Sequence, residues 1–133
     1  MVKCIFCEIV EKKATARIIA ENDGALCFLI LEPLTKGHCL VVPKKHFTDI
    51  FDIDESSLSE VAALAKEMSL LLKKKLGATG VNILHASGKS AQQSVFHFHL
   101  HIVPRFENDG LDAWPKSEYK ELSLDDVKKS LLL

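Results

Sequence analysis

Three histidines alternate with apolar residues in the segment Ser94-Val95-Phe96-His97-Phe98-His99-Leu100-His101-Ile102-Val103-Pro104. Successive side chains of a β-strand point to opposite faces of the sheet, so this alternation predicts a strand. His97, His99 and His101 would then share one face. The opposite face would need a hydrophobic core, since it consists of Phe96, Phe98, Leu100 and Ile102. A row of three imidazoles on so apolar a strand favours a chemical role over a merely solvated face.

The imidazole row is compatible with two kinds of chemistry, metal binding and attack on phosphorus. Both need an uncharged ring nitrogen, and the ordinary histidine pKa of about 6.5 provides one near pH 7. In the phosphate interpretation, His99 is the predicted nucleophile because it is flanked on both sides. A neighbour, His101 or His38, would stabilise charge or protonate the leaving group. The chain has no Walker-type loop and no G-x-S-x-G motif, so other phosphoryl- and acyl-transfer templates are unsupported.

Length and charge limit the possible classes of protein. The 133 residues predict one domain, residues 1–133, large enough to bury a core. The net charge of -1, from 17 basic and 18 acidic residues, argues against nucleic acid as a partner. No apolar run reaches the roughly 18 residues of a membrane span, and the first residues lack a signal-peptide pattern. We therefore expect no membrane partner and a cytoplasmic protein with reduced cysteines.

The remaining patterns predict an α+β protein with a mainly antiparallel sheet and one long helix on it. Apolar residues spaced by three and four predict a helix that starts at residues 54–57 and ends near Leu76-Gly77. The tail, residues 123–133, predicts a short terminal helix. Besides the histidine strand, the predicted strands cover residues 16–20, 25–31, 38–43 and 80–85.

Cysteines and a polar loop supply two further candidate features. Cys4-Ile5-Phe6-Cys7 is half of a zinc site or a redox pair, and zinc would need two more ligands from His38, His46 or the triad. Cys27 and Cys39 lie inside apolar strands and are predicted to be buried. The loop of residues 86–93 leads into the histidines, and it is either an anion-binding loop or an ordinary connection.

The segment His97-Phe98-His99-Leu100-His101-Ile102-Val103 resembles the His-φ-His-φ-His-φ-φ motif of the histidine triad (HIT) superfamily. The similarity extends from the Cys4–Cys7 motif through Lys36-Gly37-His38 and Pro43-Lys44-Lys45-His46 to the triad, and it is greatest to the zinc-containing microbial members of the Hint branch. The resemblance implies a HIT-like fold with a mainly antiparallel five-stranded sheet, one long helix and short terminal helices. It also implies a core of about residues 4–105, a tail of residues 106–133 and a homodimer with joined sheets.

The resemblance further implies hydrolysis or transfer at the α-phosphate of a purine nucleotide of the AMP type, through a covalent nucleotidyl-histidine. The substrate classes are adenosine phosphoramidates, aminoacyl-adenylates and dinucleoside polyphosphates. His99 matches the nucleophile, His101 the residue at the scissile phosphate and leaving group, and His38 an accessory histidine. The matching substrate-binding residues are Gln93 and Ser94 at the phosphate and Ile5, Phe6, Ile9, Phe28 and Leu31 around the base.

Zinc-bearing members of the family imply a ligand set of Cys4, Cys7, His46 and His97. Two thiolates and two imidazoles leave no open position, which suits a structural Zn²⁺ ion rather than a catalytic one.

The sequence departs from the family pattern at three positions. Ile30 stands where an Asp usually holds the ribose hydroxyls, and isoleucine cannot accept those hydrogen bonds. Another group, such as Glu32, would then be needed. Ala86 replaces a common Asn, and Gln92 a common Gly. Two rival functions follow: a nucleotide-binding regulatory module with little turnover, and a site in which all the histidines ligate metal.

Overall fold

The architecture is a five-stranded antiparallel sheet with a helix on each face, which confirms the predicted fold class. The computed structural model describes residues 3–132. The strands are β1 (Ile18–Glu21), β2 (Ala25–Leu29), β3 (Cys39–Pro43), β4 (Gly80–Leu84) and β5 (Leu100–Arg105). Their spatial order is β1-β2-β3-β5-β4, so β5, the strand that follows the first two triad histidines, lies inside the sheet.

Short-range chemistry explains the first hairpin and the long helix. The Asn22 side-chain oxygen accepts the backbone N–H groups of Gly24 (3.0 Å) and Ala25 (2.7 Å), which closes the turn between β1 and β2. Helix α2 (Glu55–Leu76) begins after Asp54, whose carboxylate accepts the Ser57 N–H at 2.7 Å. It ends where Gly77 adopts a left-handed conformation, φ +73°. Both helix limits agree with the sequence prediction.

Helix α2 covers one face of the sheet and forms the larger core. Its apolar stripe packs against alternate residues of β2 and β3, including the buried thiols of Cys27 and Cys39. Phe98 and Ile102 reach the same core from the triad segment. The stripe consists of Val61, Leu64, Ala65, Met68 and Leu72.

A short helix covers the opposite face. Helix α1 (Ile5–Val10) starts within the Cys4–Cys7 motif and buries Phe6 and Ile9. These side chains pack against Leu26, Phe28, Leu40 and Val42, which point away from α2. Strands β2 and β3 are therefore buried on both faces, which explains their continuous apolar runs.

The triad segment departs from the predicted strand. Strand β5 begins only at Leu100, and the residues before it are irregular. The last β3–β5 pair is Val41 with Leu100; beyond it, the Pro43 carbonyl accepts a hydrogen bond from the His97 ring at 2.9 Å. Hydrogen bonds outside the strand ladder thus hold this end of the sheet. Phe98, Leu100 and Ile102 face the α2 core as expected, but Phe96 is 44% exposed, so its assignment to the core face is wrong.

Other predicted strands shift at their ends. Strand β1 starts later and runs one residue further than predicted, β2 stops at Leu29, and His38 and His85 lie just outside β3 and β4. The terminal helix, α3, spans Leu124–Leu132, and Leu133 lies outside the described residues. Over residues 3–132, no helix has the length and apolar character needed to cross a membrane.

Candidate active site and metal centre

Four donor side chains from three parts of the chain meet beside the start of α1. They are Cys4, Cys7, His46 and His97, and their donor atoms all lie within 4.8 Å of one another. The sulfur of Cys4 is 3.3 Å from Nδ1 of His97, and the sulfur of Cys7 is 3.4 Å from Nδ1 of His46 and 3.5 Å from Nδ1 of His97. The structure thus brings together the metal ligand set that the resemblance implied.

The spacing and chemistry of these donors fit a tetrahedral metal ion. Bonds of 2.3 Å to sulfur and 2.0–2.1 Å to nitrogen at the tetrahedral angle would separate the two ligand atoms by about 3.6 Å, close to the distances above. The His97 Nε2–H donates to the Pro43 carbonyl at 2.9 Å, so the lone pair of Nδ1 points toward the sulfurs. Burial lowers the pKa of His97 to about 4, which keeps the ring neutral.

The same geometry favours metal binding over the redox interpretation of the cysteine pair. Cys4 lies at the N-cap of α1, where its sulfur accepts the Cys7 N–H at 3.4 Å. Burial and the neighbouring Cys4 raise the pKa of the Cys7 thiol to about 11. A redox-active cysteine needs a lowered pKa, so Cys7 has the opposite electrostatic setting.

His99 lies next to the metal site, and its ring has one uncharged nitrogen free. The side chain is 5% exposed and lines a cleft. Its Nδ1 is 2.8 Å from the His97 carbonyl oxygen, which can only accept, so Nδ1 carries the proton and Nε2 carries the lone pair. Burial lowers the pKa of His99, which favours this neutral form.

His38 and His101 form a hydrogen-bonded pair, and a backbone N–H group determines which nitrogen of each ring carries the proton. The Leu34 N–H donates to Nδ1 of His38 at 3.0 Å, so the His38 proton is on Nε2. That Nε2–H donates to Nδ1 of His101 at 2.9 Å, which leaves the His101 proton on its own Nε2. Burial lowers the pKa of both rings, that of His101 to about 4. The cleft thus has an imidazole acceptor, His99, beside an imidazole donor, His101.

A cleft of about 440 Å³ extends from these two histidines between α1 and the sheet. Ser94 also lines it. Ile30, the position at which family members usually have an Asp, lines the cleft. Arg17 and Glu32 line it as well, and Glu32 is exposed. All five apolar residues proposed from the sequence line it: Ile5, Phe6, Ile9, Phe28 and Leu31.

Gln93 is placed differently from the other sequence-predicted site residues. Its amide nitrogen donates to the carbonyls of Thr48 (2.7 Å) and Val95 (3.0 Å), and its oxygen accepts the Gly88 N–H at 2.8 Å. The side chain is buried and is not among the residues that line the cleft. The hydrogen bonds of Gln93 therefore hold the loop before the triad in place.

The loop itself favours an ordinary connection over an anion-binding loop. The N–H groups of Ala91 and Gln93 bond to the Gly88 carbonyl, and that of Gln92 bonds to the Lys89 carbonyl. The N–H of Gly88 is taken by Gln93. These four groups are therefore committed within the loop, and none of residues 86–93 is among those that line the cleft.

His85 lies beside the nucleophile candidate but was assigned only to a strand in the sequence analysis. Its Nδ1 is 2.9 Å from the His99 carbonyl oxygen, and its Nε2 bonds to the Ser87 hydroxyl. The only feature in the sequence that pointed to His85 was its place at the end of a predicted strand, two residues before a serine. That pattern is too common to indicate a functional residue.

Comparisons with known proteins agree with this geometry. A family model of the HIT domain matches residues 11–108. The chain is 39% identical over 128 residues to a HIT-like protein from Methanocaldococcus jannaschii, covering 96% of this chain and 98% of that protein. It is 34% identical over 132 residues to Adenylylsulfatase HINT3 from Arabidopsis thaliana, covering 97% and 66%. The chain belongs to the HIT family, as its sequence pattern predicted.

Solved structures show the same architecture. The fold matches the crystal structure of a HIT family protein from Bacillus anthracis with a TM-score of 0.86 and 35% identity, covering 98% of this chain and 95% of that one. It also matches a zinc-bound histidine triad family protein from Mycobacterium smegmatis with a TM-score of 0.79 and 35% identity, covering 96% and 88%.

Proposed function

We propose that this protein is a nucleotide hydrolase or transferase that cleaves a phosphoramidate or phosphoanhydride bond at the α-phosphate through a nucleotidyl-His99 intermediate. The observation that carries the proposal is the opposite protonation of two adjacent cleft imidazoles. His99 has its lone pair on Nε2, whereas His101 has its proton on Nε2. An attacking nucleophile and a hydrogen-bond donor that stabilises the developing negative charge are the two groups that the reaction needs.

In the proposed first step, Nε2 of His99 attacks the α-phosphorus and the bond from phosphorus to the leaving nitrogen or oxygen breaks. The Nε2–H of His101 donates a hydrogen bond to the leaving atom, which takes its proton from a water molecule, while the Nδ1–H of His99 keeps its hydrogen bond to the His97 carbonyl and stabilises the positive ring that forms. In the second step, the hydroxide left by that water attacks phosphorus as the bond from phosphorus to Nε2 of His99 breaks, which releases the nucleoside monophosphate and restores the neutral His99 ring. Ser94 would donate to a phosphoryl oxygen.

The apolar cleft supports a purine nucleotide of the AMP type as substrate. Ile5, Phe6 and Ile9 would cover one side of the base, and Phe28 and Leu31 would line the rest. Glu32 is our candidate for the ribose hydroxyls, since Ile30 cannot accept a hydrogen bond. The name of the Arabidopsis relative supports an adenylyl compound as one substrate class.

We propose that the metal is a structural Zn²⁺ held by Cys4, Cys7, His46 and His97, supported by the donor spacing and the zinc-bound relative. When bound, zinc would tie the start of α1 to the segment that carries His99. Because the thiols must stay reduced to bind it, we place the protein in the cytoplasm.

We propose a homodimer that forms through the edge strand β4. Strand β4 ends the sheet, and its apolar residues Val81 and Ile83 are 38% and 49% exposed. An open edge with exposed apolar side chains is the kind of surface that a second copy covers.

The test of the reaction is His99→Asn. The asparagine amide nitrogen takes the place of Nδ1 and can still donate to the His97 carbonyl, so the variant removes the nucleophile but keeps its anchor. Turnover of adenosine 5′-phosphoramidate should fall by at least about a thousandfold, while AMP binding by calorimetry persists. Mass spectrometry of quenched wild-type enzyme should show one nucleotidyl adduct. Near wild-type turnover in the variant would refute the mechanism.

The second candidate function, a nucleotide-binding module with little turnover, is favoured by Ile30. The same experiment separates the two functions. Wild-type protein that binds AMP but leaves adenosine phosphoramidate, adenylyl sulfate and a dinucleoside polyphosphate intact would support the binding module.

A further inference from the structure

The backbone around His99 lies beyond the end of the sheet ladder and is held by bonds from outside the sheet. The last β4–β5 pair joins Leu84 to His101, and β5 starts at Leu100. Just before it, the Phe98 N–H donates to the Phe47 carbonyl at 2.6 Å. The His99 carbonyl accepts the Nδ1–H of His85 at 2.9 Å. An imidazole thus holds the carbonyl of the predicted nucleophile where the ladder has ended.

The His85 ring is itself held on two sides. Since a carbonyl only accepts, the His85 proton is on Nδ1, and the Nε2 lone pair accepts the Ser87 hydroxyl. The Ser87 oxygen in turn accepts the Ile50 N–H at 2.9 Å. The ring also lies against Phe98, with ring centroids 4.4 Å apart and planes inclined by 31°. His85 therefore connects the His99 carbonyl to the loop that follows β3.

We propose that His85 is a positioning residue for His99, an inference that rests on the proposed function. By holding the His99 carbonyl, His85 limits rotation of the peptide that follows the nucleophile and so directs Nε2 at phosphorus. It is separated from the reacting atoms by the backbone, so it acts only through His99. Misplacing a reacting atom by 1 Å can reduce a rate by about a hundredfold, so we expect loss of the bond to this carbonyl to lower the rate measurably.

Two amide variants separate the bonds of His85. In His85→Asn the amide nitrogen replaces Nδ1 and keeps the bond to the His99 carbonyl, while the bond from Ser87 is lost. In His85→Gln the longer side chain reaches the place of Nε2 and keeps Ser87, while the bond to His99 is lost. His85→Ala loses both. The side chain is exposed, so these changes remove little buried volume.

For adenosine phosphoramidate, we expect kcat of the Asn variant within about threefold of wild type, and kcat of the Gln and Ala variants lower by about tenfold or more with KM unchanged. A second readout needs no turnover. The ¹⁵N-detected NMR signal of the His99 Nδ1–H should keep its position in the Asn variant and move in the Gln and Ala variants. This pattern of kcat values and NMR signals across the three variants would support positioning.

The outcomes distinguish this inference from the proposed function. If wild-type protein has no turnover, the proposed function fails, and the NMR signal alone then tests the contact. Unchanged kcat and unchanged His99 signal in the Ala variant would overturn the positioning role. Equal losses in all three variants, with equal falls in the melting temperature, would also overturn it, since they would indicate a merely structural ring.

Discussion

Replacing His101 by Asn should make the protein markedly less sensitive to acid. Burial, and to a smaller extent the neighbouring histidines, lower the folded-state pKa of His101 to about 4. In the unfolded chain its pKa is about 6.5. Between these values the unfolded state binds more protons, so stability rises with pH. The contribution of His101 is therefore complete above about pH 6.5 and is lost as the pH falls toward 4.

The magnitude follows from the two pKa values. At about 1.36 kcal/mol per pH unit, a lowering from 6.5 to about 4 destabilises the fold by about 3 kcal/mol once the pH is below 4. At pH 5 the loss relative to pH 8 is about 2 kcal/mol. The pKa values of His38 and His99 are lowered too, so they add losses of the same sign.

The assay is urea unfolding of wild type and His101→Asn at pH 8 and pH 5. The asparagine oxygen can still accept the Nε2–H of His38, so the variant removes the titrating ring and keeps the hydrogen bond. Any metal released at pH 5 affects both proteins and cancels in the double difference. We expect the variant to lose about 2 kcal/mol less than wild type. Equal losses would refute the neutral, half-buried state of His101 on which the proposed mechanism depends.

Three further predictions test the metal site, the cleft and the packing. Cys4→Ser keeps an N-cap oxygen but removes a thiolate, so zinc measured by mass spectrometry should fall from about one ion per chain to none while AMP binding persists. Retained zinc would contradict the ligand set. Lost AMP binding would favour a site in which all the histidines ligate metal. Ile30→Asp should raise the preference for AMP phosphoramidate over its 2′-deoxy analogue by about tenfold, since a carboxylate can accept both ribose hydroxyls; an unchanged ratio would place the sugar elsewhere. Gly37→Ala should destabilise the fold by about 2–4 kcal/mol, because φ is +92° and the new Cβ would lie 2.6 Å from Leu76. Gly88→Ala, with φ +91° and open space, is the matched control and should cost less; equal urea midpoints would show that the clash is relieved.

Local patterns in the sequence were sufficient for most of the fold. Asp54, the apolar spacing of three and four, and Gly77 set the limits of α2, because helix ends depend on neighbouring side chains and backbone conformation. The runs in β2 and β3 identified the central strands, because strands covered on both faces need apolar residues throughout. The family motif, carried by residue types at fixed spacing, was confirmed by the match over residues 11–108.

The triad segment shows where local patterns were insufficient. Alternation predicted one continuous strand, yet pairing stops at Leu100, and His97 and His99 bond to carbonyls instead. Periodicity describes which way side chains point but contains no information about whether a partner strand is still present. For the same reason, the polar composition of residues 86–93 left an anion-binding loop and an ordinary connection equally open, whereas in the structure the N–H groups of Gly88, Ala91, Gln92 and Gln93 bond within the loop.

The sequence by itself determined which chemical groups this protein has: three alternating imidazoles, two spaced thiols and the apolar runs that bury them. Only the tertiary structure decided which nitrogen of each ring carries the proton. That choice depends on partners far apart in the chain, such as the Leu34 N–H that acts on His101 through His38. A neutral imidazole has two nearly equivalent tautomers, and only a neighbour fixed in space selects one of them.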